Sequence, residues 1–309
     1  MRVSILGTGS IGSVFAASLA STDHEIHLHV RGERGARQIL EGIDVSGFGL
    51  QTAPATRFLF SCEELEVEPH LHGGSDVVIF SCKSHAIPSL LELARTLLRE
   101  NGVALAISNG LGHPEQLARA LGPHRVLAAT TTHGAFTDAD GTVVWVGQGT
   151  VNLALPPFGA GEASIGLVAE LLKSAGLFPV VRDDSASLIW EKVLLNLAIN
   201  PIAALAGLQN GELLDDGLFG TCMMVYREAA RVARLERVAV PDEVTFEQQL
   251  RKVLTSTKDN HCSMLQDIKA GRRTEIEALN GAVVELAEEH GLAVPINQML
   301  TTLVQACHP

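Results

Sequence analysis

The sequence predicts an α/β protein in which an amino-terminal parallel-sheet domain, residues 1–183, is followed by a mostly α-helical domain, residues 184–309. In the first half, short β-rich runs alternate with helical patterns, which is typical of a parallel sheet covered by helices. A glycine-rich turn directly follows the first of these runs. The predicted strands are Arg2–Leu6, Glu25–Val30, Asp76–Cys82, Val103–Ser108, Val126–Thr130, Thr142–Val146 and Val151–Leu155.

The second half has a different pattern, because long segments rich in Leu, Ala and Glu show the periodicity of amphipathic helices. The domain boundary is predicted near Asp183-Asp184-Ser185, where Asp184 or Ser185 would cap the next helix. The predicted helical segments are Ala186–Ile199, Leu218–Leu235, Phe246–Leu254 and Thr274–Glu289.

Composition narrows the class of protein. The 309 residues, 46% of them hydrophobic and 19% charged, are enough for a large core. The formal charge of −12 argues against nucleic acid and anionic membrane surfaces as partners, since both favour dense Lys and Arg. Five dispersed cysteines without a CxxC pair indicate reduced thiols, a cytoplasmic location and no metal site.

Neither the amino terminus nor the most apolar stretch has the pattern of a targeting or membrane segment. The first residues lack the long apolar run of a signal peptide. The most apolar stretch, Val193–Leu208, is interrupted by Asn196, Asn200 and Pro201. We therefore interpret it as a buried helix.

The first chemical motif is the G-x-G-x-x-G turn of residues 7–12, which links the first predicted strand to a helical pattern. Such a turn brings backbone N–H groups to a pyrophosphate at a helix amino terminus and is typical of the Rossmann-type dinucleotide-binding domain. The alternative is a glycine turn without a ligand, but the position between strand and helix favours dinucleotide binding. The predicted contacts are Gly7, Thr8, Gly9, Ser10, Ile11 and Gly12.

The choice of cofactor depends on the end of the second strand. NAD enzymes tend to carry an acidic residue there, whereas this strand ends in Arg31. Because a guanidinium group pairs well with a 2′-phosphate, the sequence favours NADPH over NADH. In the alternative interpretation Arg31 is only a solvated strand end, and Glu33 binds the ribose.

Two further strand ends belong to the same carboxyl edge of the sheet, where open α/β sheets bind ligands. Lys83 follows the third predicted strand and could meet an anionic substrate or cofactor, or simply be solvated. Asn109 follows the fourth strand and could contact a ligand or serve as a turn residue.

The helical domain contains a polar stripe, because Lys192, Asn196 and Asn200 are spaced i, i+4 and i+8 among apolar residues. A partly desolvated lysine loses basicity and becomes a usable proton donor near neutral pH. We interpret the stripe as facing a substrate. The alternative is a lysine that reaches water while the asparagines satisfy neighbouring backbone.

Further motifs extend this pattern over nearly the whole chain. They are Gly7-x-Gly9-x-x-Gly12, Asn109-Gly110-x-Gly112, Thr131-Thr132-His133-Gly134-Ala135, Lys192-x3-Asn196-x3-Asn200-Pro201, Asn210-Gly211-Glu212, Ser263-Met264-Leu265-Gln266-Asp267, Thr274-Glu275-Ile276-Glu277 and Gly291-x3-Pro295-x-Asn297. Together they resemble the ketopantoate reductase family, the 2-dehydropantoate 2-reductases, which reduce a 2-keto acid with NADPH.

The resemblance implies specific roles. Lys192 matches the family's proton donor and Glu275 its partner, so Lys192 would stabilise and protonate the oxyanion formed by hydride transfer to C2. Substrate contacts are implied for Asn109, Lys192, Asn196, Asn200, Asn210 and Ser263. Cofactor contacts are implied for Gly7, Gly9, Gly12, Arg31, Lys83, Asn109, Ala135 and Glu275.

Two departures from the family leave the exact substrate open. Cys262 stands where relatives commonly have a second serine, and Glu277 replaces a frequent aspartate. Three functions therefore stay open: ketopantoate reduction, reduction of another branched 2-keto acid, and a non-enzymatic NADP(H) sensor. The sensor would not need Lys192 and Glu275. A homodimer is compatible with the sequence, which does not determine the oligomeric state.

Overall fold

The structure is a computed structural model that describes residues 1–48, 51–138 and 140–308. Its chain folds into two compact units. The first comprises Met1–Ser108 and Gly112–Ser185, and the second comprises Asn109–Leu111 together with the chain from Ala186 on. A three-residue segment from the first half of the chain therefore belongs to the second unit.

The described residues of the first unit form two sheets and five α-helices. Its strands are β1 (Arg2–Leu6), β2 (Glu25–Val30), β3 (Ile43–Gly47), β4 (Gln51–Ala53), β5 (Phe58–Cys62), β6 (Ser75–Phe80), β7 (Leu98–Ala106), β8 (Val126–Thr131), β9 (Gly134–Thr137), β10 (Val143–Gly147), β11 (Val151–Ala154) and β12 (Pro179–Arg182). Its helices are α1 (Ser10–Ala20), α2 (Gly32–Glu41), α3 (Ile87–Leu97), α4 (His113–Leu121) and α5 (Glu162–Ser174).

The larger sheet has eight strands in the order β12-β11-β8-β7-β6-β1-β2-β5. Every neighbouring pair is parallel except β11 with β8. The order reverses between β1 and β6, which is the switch point where doubly wound sheets of the Rossmann type bind their ligands. This arrangement confirms the predicted α/β fold with a parallel sheet in the amino-terminal part.

The central strands are continuous apolar runs because helices pack on both faces of the sheet. All six residues of β6 are buried, and four of the five residues of β1 are buried. Helix α1 contributes Val14, Phe15 and Leu19, each without exposed surface, to the core on one face. A separate cluster of buried apolar residues, which includes Phe80, Ile87 and Leu97, forms a second part of the core of this unit.

The smaller sheet has the order β4-β3-β10-β9 and corrects one expectation. The predicted strand Thr142–Val146 forms β10 in this second sheet, where it pairs parallel with β3 and antiparallel with β9. Five strands were not predicted, namely β3, β4, β5, β9 and β12. They are three to five residues long, which is short for recognition from an apolar pattern, and three residues of β12 are exposed.

The second unit is helical. Its helices are α6 (Ser185–Ala206), α7 (Asp216–Leu235), α8 (Glu243–Ser256), α9 (Ser263–Lys269), α10 (Asn280–Glu289) and α11 (Pro295–Gln305). Side chains cap three of them. Asp215 accepts hydrogen bonds from backbone N–H groups at the start of α7, Asp242 accepts one at the start of α8, and the Cys262 thiol accepts one at the start of α9. One apolar cluster, which includes Leu194, Tyr226 and Phe246, forms the core of this unit.

Two helix predictions were wrong in their bounds. Helix α6 continues through Pro201 to Ala206, beyond the periodic segment Ala186–Ile199 and in agreement with the interpretation of Val193–Leu208 as a buried helix. The predicted helix Thr274–Glu289 is interrupted, since only a short 3-10 turn, Ile276–Ala278, precedes α10. Here the Ala278 carbonyl accepts a 2.9 Å hydrogen bond from the Leu111 N–H group, so a tertiary contact replaces the helical one.

Helix α6 lies in the core of its unit. Among the residues that the structure describes, it is the one helix long and apolar enough to cross a membrane, and 67% of its most apolar stretch is buried inside the protein. Leu194, Leu197 and Ala198 have no exposed surface. The protein around it thus accounts for its apolar composition.

Candidate active site

The glycine turn after β1 is packed too closely for any side chain at its first and last glycines. Gly7 has φ +101°, and a Cβ atom there would lie 2.6 Å from Cys82 Cα at the end of β6. A Cβ atom on Gly12 would overlap the Gly7 carbonyl oxygen. The Ser81 hydroxyl donates a 2.7 Å hydrogen bond to that same carbonyl, which fixes the turn against the neighbouring strand.

The middle of the turn is open instead. A Cβ atom on Gly9 would meet nothing within 4 Å. Gly9 precedes the first residue of α1, whose first turn carries no acidic side chain. A helix amino terminus with free approach to its backbone N–H groups suits a pyrophosphate. The residues present therefore fit a dinucleotide phosphate.

The side chains of the turn itself are occupied by protein contacts. The Thr8 hydroxyl donates a 2.6 Å hydrogen bond to Gln38 Oε1, and the Ser10 hydroxyl lies 2.9 Å from Thr137 Oγ1. Ile11 packs against the sheet core. Any contact of these three residues with a phosphate would thus use backbone N–H groups.

The basic residues after β2 are placed by helix α2. Arg31 is exposed and stands at the amino-terminal cap of this helix. One turn further on, the Arg34 guanidinium donates hydrogen bonds to Thr137 Oγ1 (2.9 Å) and Ser13 Oγ (3.3 Å), so it lies beside the first turns of α1. Arg34 was not among the predicted cofactor contacts, although it lies three residues after Arg31 and on the helix that Arg31 precedes.

Lys83 and Ala135 are the remaining predicted cofactor residues of the first unit. Lys83 is half-buried and directly precedes the short 3-10 turn Ser84–Ala86. Ala135 lies on β9, where it pairs with Trp145 of the smaller sheet and packs against the core. The structure thus places them on different elements of the unit.

His133, in the turn between β8 and β9, has a structural role. Its Nδ1 accepts a 3.1 Å hydrogen bond from the Gly149 N–H group, and its Nε2 lies 3.2 Å from the Leu177 carbonyl. Since Nδ1 accepts, Nε2 carries the proton and the ring is neutral. Desolvation lowers the pKa of His133, consistent with this neutral form.

Helix α6 of the second unit carries the polar stripe. Val193, Leu194 and Leu197 are buried in the helical core, while Lys192 and Asn196 remain half-buried and Asn200 is 7% exposed. The spacing of four residues places the three polar side chains on one face of the helix.

Asn109 joins this stripe to Glu275 within the second unit. Asn109 Nδ2 donates a 2.9 Å hydrogen bond to Glu275 Oε2, and Asn109 Oδ1 accepts a 3.3 Å hydrogen bond from Asn196 Nδ2. Glu275 is 6% exposed. One amide thereby orients both a buried carboxylate and an amide of α6.

The electrostatic surroundings of Lys192 weaken its basicity. Desolvation by the surrounding protein lowers the pKa of Lys192 from 10.5 to about 8, although the Glu275 carboxylate acts in the opposite direction. At pH 7 the ammonium form is still the major one, and its proton is held far less tightly than on a solvated lysine. Such a group is a suitable general acid.

The carboxyl-terminal end of the stripe faces another short helix. The Cys262 thiol donates a 3.5 Å hydrogen bond to the Asn200 carbonyl and accepts one from the Leu265 N–H group, so it caps α9. Ser263, the first residue of α9, is exposed. Burial raises the pKa of Cys262 to about 11, which keeps the thiol protonated as a donor.

Asn210 is held by the segment that precedes α9. Its Nδ2 donates a 2.9 Å hydrogen bond to Thr257 Oγ1, and its backbone N–H donates to the Asn260 carbonyl. Its Oδ1 atom is buried and accepts no hydrogen bond from the described part of the chain. The structure therefore connects Asn210 to this segment, whereas Lys192, Asn196, Asn109 and Glu275 form a separate contiguous group.

Comparison with known proteins identifies the family. Residues 3–157 match the family model described as ketopantoate reductase PanE/ApbA, and residues 184–308 match the model of its carboxyl-terminal part. The chain belongs to the ketopantoate reductase family.

Individual relatives agree with this assignment. A 2-dehydropantoate 2-reductase of Halobacterium salinarum is 34% identical over 310 residues, which cover 99% of this chain and 98% of that protein. The crystal structure of a PanE/ApbA family ketopantoate reductase from Ralstonia eutropha has a TM-score of 0.85 at 26% identity, with 99% and 98% of the two chains covered.

A second kind of enzyme shares the fold closely. The ternary structure of D-mandelate dehydrogenase with NADH and anilino(oxo)acetate has a TM-score of 0.90 at 25% identity, with 99% of this chain and 98% of that chain covered. The ketopantoate reductase fold is thus also used by a dehydrogenase that acts on a different 2-hydroxy acid.

Proposed function

We propose that this member of the ketopantoate reductase family reduces 2-dehydropantoate to pantoate with NADPH. The observation that carries the proposal is the group formed by Lys192, Asn196, Asn109 and Glu275, in which a lysine of lowered pKa stands near a buried carboxylate held by two linked amides. A protein that only binds the nucleotide would not need a proton donor at this position.

The first unit would hold the cofactor. Residues 7–12 would contact the pyrophosphate through backbone N–H groups, as the open approach at Gly9 supports. Arg31, at the amino terminus of α2, would pair with the 2′-phosphate. Arg34 lies close by, beside Ser13 in α1. The family resemblance adds contacts to Lys83, Asn109, Ala135 and Glu275. When bound, NADPH supplies the hydride that reduces the keto carbon.

The second unit would supply the proton. As the C2 carbonyl of the substrate becomes a hydroxyl, the new C–H bond leaves the electron pair of the former C=O π bond on oxygen. The Lys192 ammonium would stabilise this negative charge and transfer its proton to the oxygen. Glu275 would orient the ammonium group, and Asn109 would hold Glu275 in place through the 2.9 Å hydrogen bond.

Neutral polar groups would bind the rest of the substrate. Asn196 and Asn200 lie on the face of α6 that carries Lys192, and Asn200 has no side-chain hydrogen bond among the described residues. Ser263 and Asn210 complete the set that we propose for the carboxylate and hydroxyl groups of the substrate. Amide and hydroxyl groups can bind both without excluding an apolar substrate body.

Another 2-keto acid is the second candidate. The TM-score of 0.90 with D-mandelate dehydrogenase favours it, because a protein of the same fold acts on D-mandelate. Cys262, in the place of a common serine of the family, touches the Asn200 carbonyl at the end of the stripe. The proton donor and its partners would be unchanged in this case.

The cellular setting is proposed from simpler features. All five cysteines are free thiols, which agrees with a reducing cytoplasm. We propose a cytoplasmic enzyme that acts on a small 2-keto acid, with neither nucleic acid nor membrane as a partner. A homodimer is its proposed assembly state.

The decisive test is NADPH oxidation, followed by absorbance, with 2-dehydropantoate and a panel of branched and aryl 2-keto acids. Selective turnover of 2-dehydropantoate is the expected result. Selective turnover of another acid would establish the second candidate. Binding of NADPH without turnover of any acid would overturn both and favour a sensor, and Lys192→Ala serves as the control for background oxidation.

A further inference from the structure

The proline of helix α6 creates a structural problem within the proposed substrate stripe. Pro201 has no N–H group, so the Leu197 carbonyl, four residues earlier, loses its helical hydrogen-bond donor. Leu197 has no exposed surface, so water cannot replace that donor. An unpaired buried carbonyl is costly. The affected carbonyl lies between Asn196 and Asn200 in the chain.

One side chain supplies the missing donor. Asn280 Nδ2 donates a 3.3 Å hydrogen bond to the Leu197 carbonyl and a 3.0 Å hydrogen bond to Asn297 Oδ1. Asn280 is completely buried, and its own Oδ1 atom has no hydrogen-bond partner among the residues that the structure describes. The contribution of this amide to the fold therefore comes from its donor atom.

Asn280 is in turn fixed by its neighbours. Asn297, which is also fully buried, donates hydrogen bonds to the Val225 carbonyl (3.3 Å) and to Glu228 Oε2 (2.9 Å). Glu228 also accepts hydrogen bonds from the Ile296 and Asn297 N–H groups at the start of α11. A chain of buried hydrogen bonds thus runs from α7 and α11 to the carbonyl of α6.

Asn280 also stands next to the other half of the group. It is the first residue of α10, five residues after Glu275, and the Leu279 N–H group before it donates to the Glu275 carbonyl at 3.2 Å. A single side chain thereby links the segment that carries Glu275 to the helix that carries Lys192, Asn196 and Asn200. A displacement of such groups by about 1 Å is sufficient to change catalysis.

We infer that Asn280 is a positioning residue, which compensates for the missing N–H group of Pro201 and thereby sets the placement of Asn196 and Asn200 for the keto acid. This inference rests on the proposed function of the stripe. It assigns no contact between Asn280 and the substrate. Its role is exerted through the Leu197 carbonyl.

The test is a double-mutant cycle of Asn280→Ala and Pro201→Ala, since an alanine at 201 restores the N–H group that the Leu197 carbonyl lacks. In the natural background, Asn280→Ala is expected to lower Tm by several degrees and to raise the KM for the keto acid at least about fivefold. The KM for NADPH stays within about twofold. In the Pro201→Ala background, the same change should cost at most about half of the Tm loss and change the keto-acid KM less than about twofold.

A buried neighbour on the same helix provides the control. Val283 is completely buried in α10 and is apolar, so Val283→Ala should lower Tm without changing the ratio of the two KM values. Because Asn280→Ala alone is at risk of not folding, Asn280→Ser provides a second variant with a short hydroxyl.

The outcomes separate the two proposals. Equal Tm losses in both backgrounds would overturn the assigned hydrogen-bond role of Asn280. A strong Tm coupling with an unchanged keto-acid KM would overturn its positioning role. Absence of turnover by the natural protein on every keto acid would instead refute the proposed function, and it would be seen before any variant is made.

Discussion

Asn109 Nδ2 donates a 2.9 Å hydrogen bond to Glu275 Oε2, across 166 positions of the sequence. The same side chain accepts a hydrogen bond from Asn196 of helix α6. Replacing Asn109 by alanine should lower kcat/KM for the keto acid at least about tenfold, because it removes one hydrogen bond from Glu275 and one from Asn196. Asn109→Asp should be more damaging, since a second carboxylate would stand beside Glu275.

Steady-state kinetics of both variants check this prediction. Asn152→Asp on β11 is the matched control, because its Nδ2 bonds only to Thr150 Oγ1 among the described residues. A kcat/KM of Asn109→Ala within about twofold of the natural protein would exclude the bridging role.

Lys192→Ala should lower kcat at least about 100-fold while leaving NADPH affinity within about twofold, because the lysine acts on the oxyanion of the substrate. Turnover assays and NADPH titration by fluorescence measure the two effects. Lys252→Ala, at an exposed position of α8, removes a lysine without approaching the stripe. Unchanged turnover in Lys192→Ala would remove this lysine from the mechanism.

The pH dependence of reduction should follow Lys192. Its proton must be present for transfer, so kcat/KM for the keto acid is expected to fall as pH rises through about 8. Glu275 raises the pKa of Lys192, so Glu275→Gln should move this limb to lower pH. A limb that persists in the residual activity of Lys192→Ala would show that another group titrates.

Arg31→Ala should weaken NADPH at least about tenfold and NADH less than about twofold, because only NADPH carries the 2′-phosphate. Binding titrations with both nucleotides give the ratio. Arg37→Ala, on the same helix but paired with Glu41, is the control. Equal losses for the two nucleotides would assign the phosphate contact elsewhere, and Arg34 would be tested next.

His27 should make the first unit sensitive to acid. Its ring is buried between Ser4 Oγ and Ser61 Oγ, and desolvation lowers the pKa of His27 from 6.5 to about 3. The His27 ring of the unfolded chain binds a proton at higher pH than that of the folded chain. Protonation of His27 therefore leaves the free energy of unfolding unchanged above pH 6.5 and lowers it by about 1 kcal/mol per pH unit as pH falls towards 3.

Thermal unfolding from pH 7 to pH 4 tests this effect. His27→Gln should have a flatter dependence of Tm on pH than the natural protein, whereas His124→Gln at an exposed position should not. The same slope for His27→Gln and the natural protein would contradict the prediction.

The parts of the fold that sequence reasoning identified are those governed by local patterns. Strands β1 and β2 have the predicted bounds because their apolar runs are buried in the sheet and end at glycine or polar residues. The edge strand β12 was missed because its exposure leaves no periodic signal. The periodic pattern of α6 ended at Ile199, and only the apolar composition of Val193–Leu208 indicated that a helix continues past Pro201, where the hydrogen bond from Asn280 supports it.

In the candidate site, too, the sequence predicts the residues that follow a local pattern and misses the contacts between distant segments. The stripe of Lys192, Asn196 and Asn200 follows from helical spacing, so the sequence alone predicts that the three share a face. The contact of Asn109 with Glu275 has no local signature. Asn109 was singled out by its position at a strand end, whereas Glu275 was suggested only by the family resemblance. Asn280 was not found, because it reaches the Leu197 carbonyl across 83 positions of the sequence and no local pattern shows this contact.

The segment Asn109–Leu111 follows β7 in sequence but belongs to the helical unit. A polypeptide that begins at Ala186 would therefore lack the amide that holds Glu275 and the N–H group that bonds to the Ala278 carbonyl. Exchange of the carboxyl-terminal half between two members of the family would combine one parent's asparagine loop with the other parent's carboxylate. The second unit is therefore discontinuous in sequence. A functional chimera has to exchange residues 109–111 together with the helices from Ala186 on.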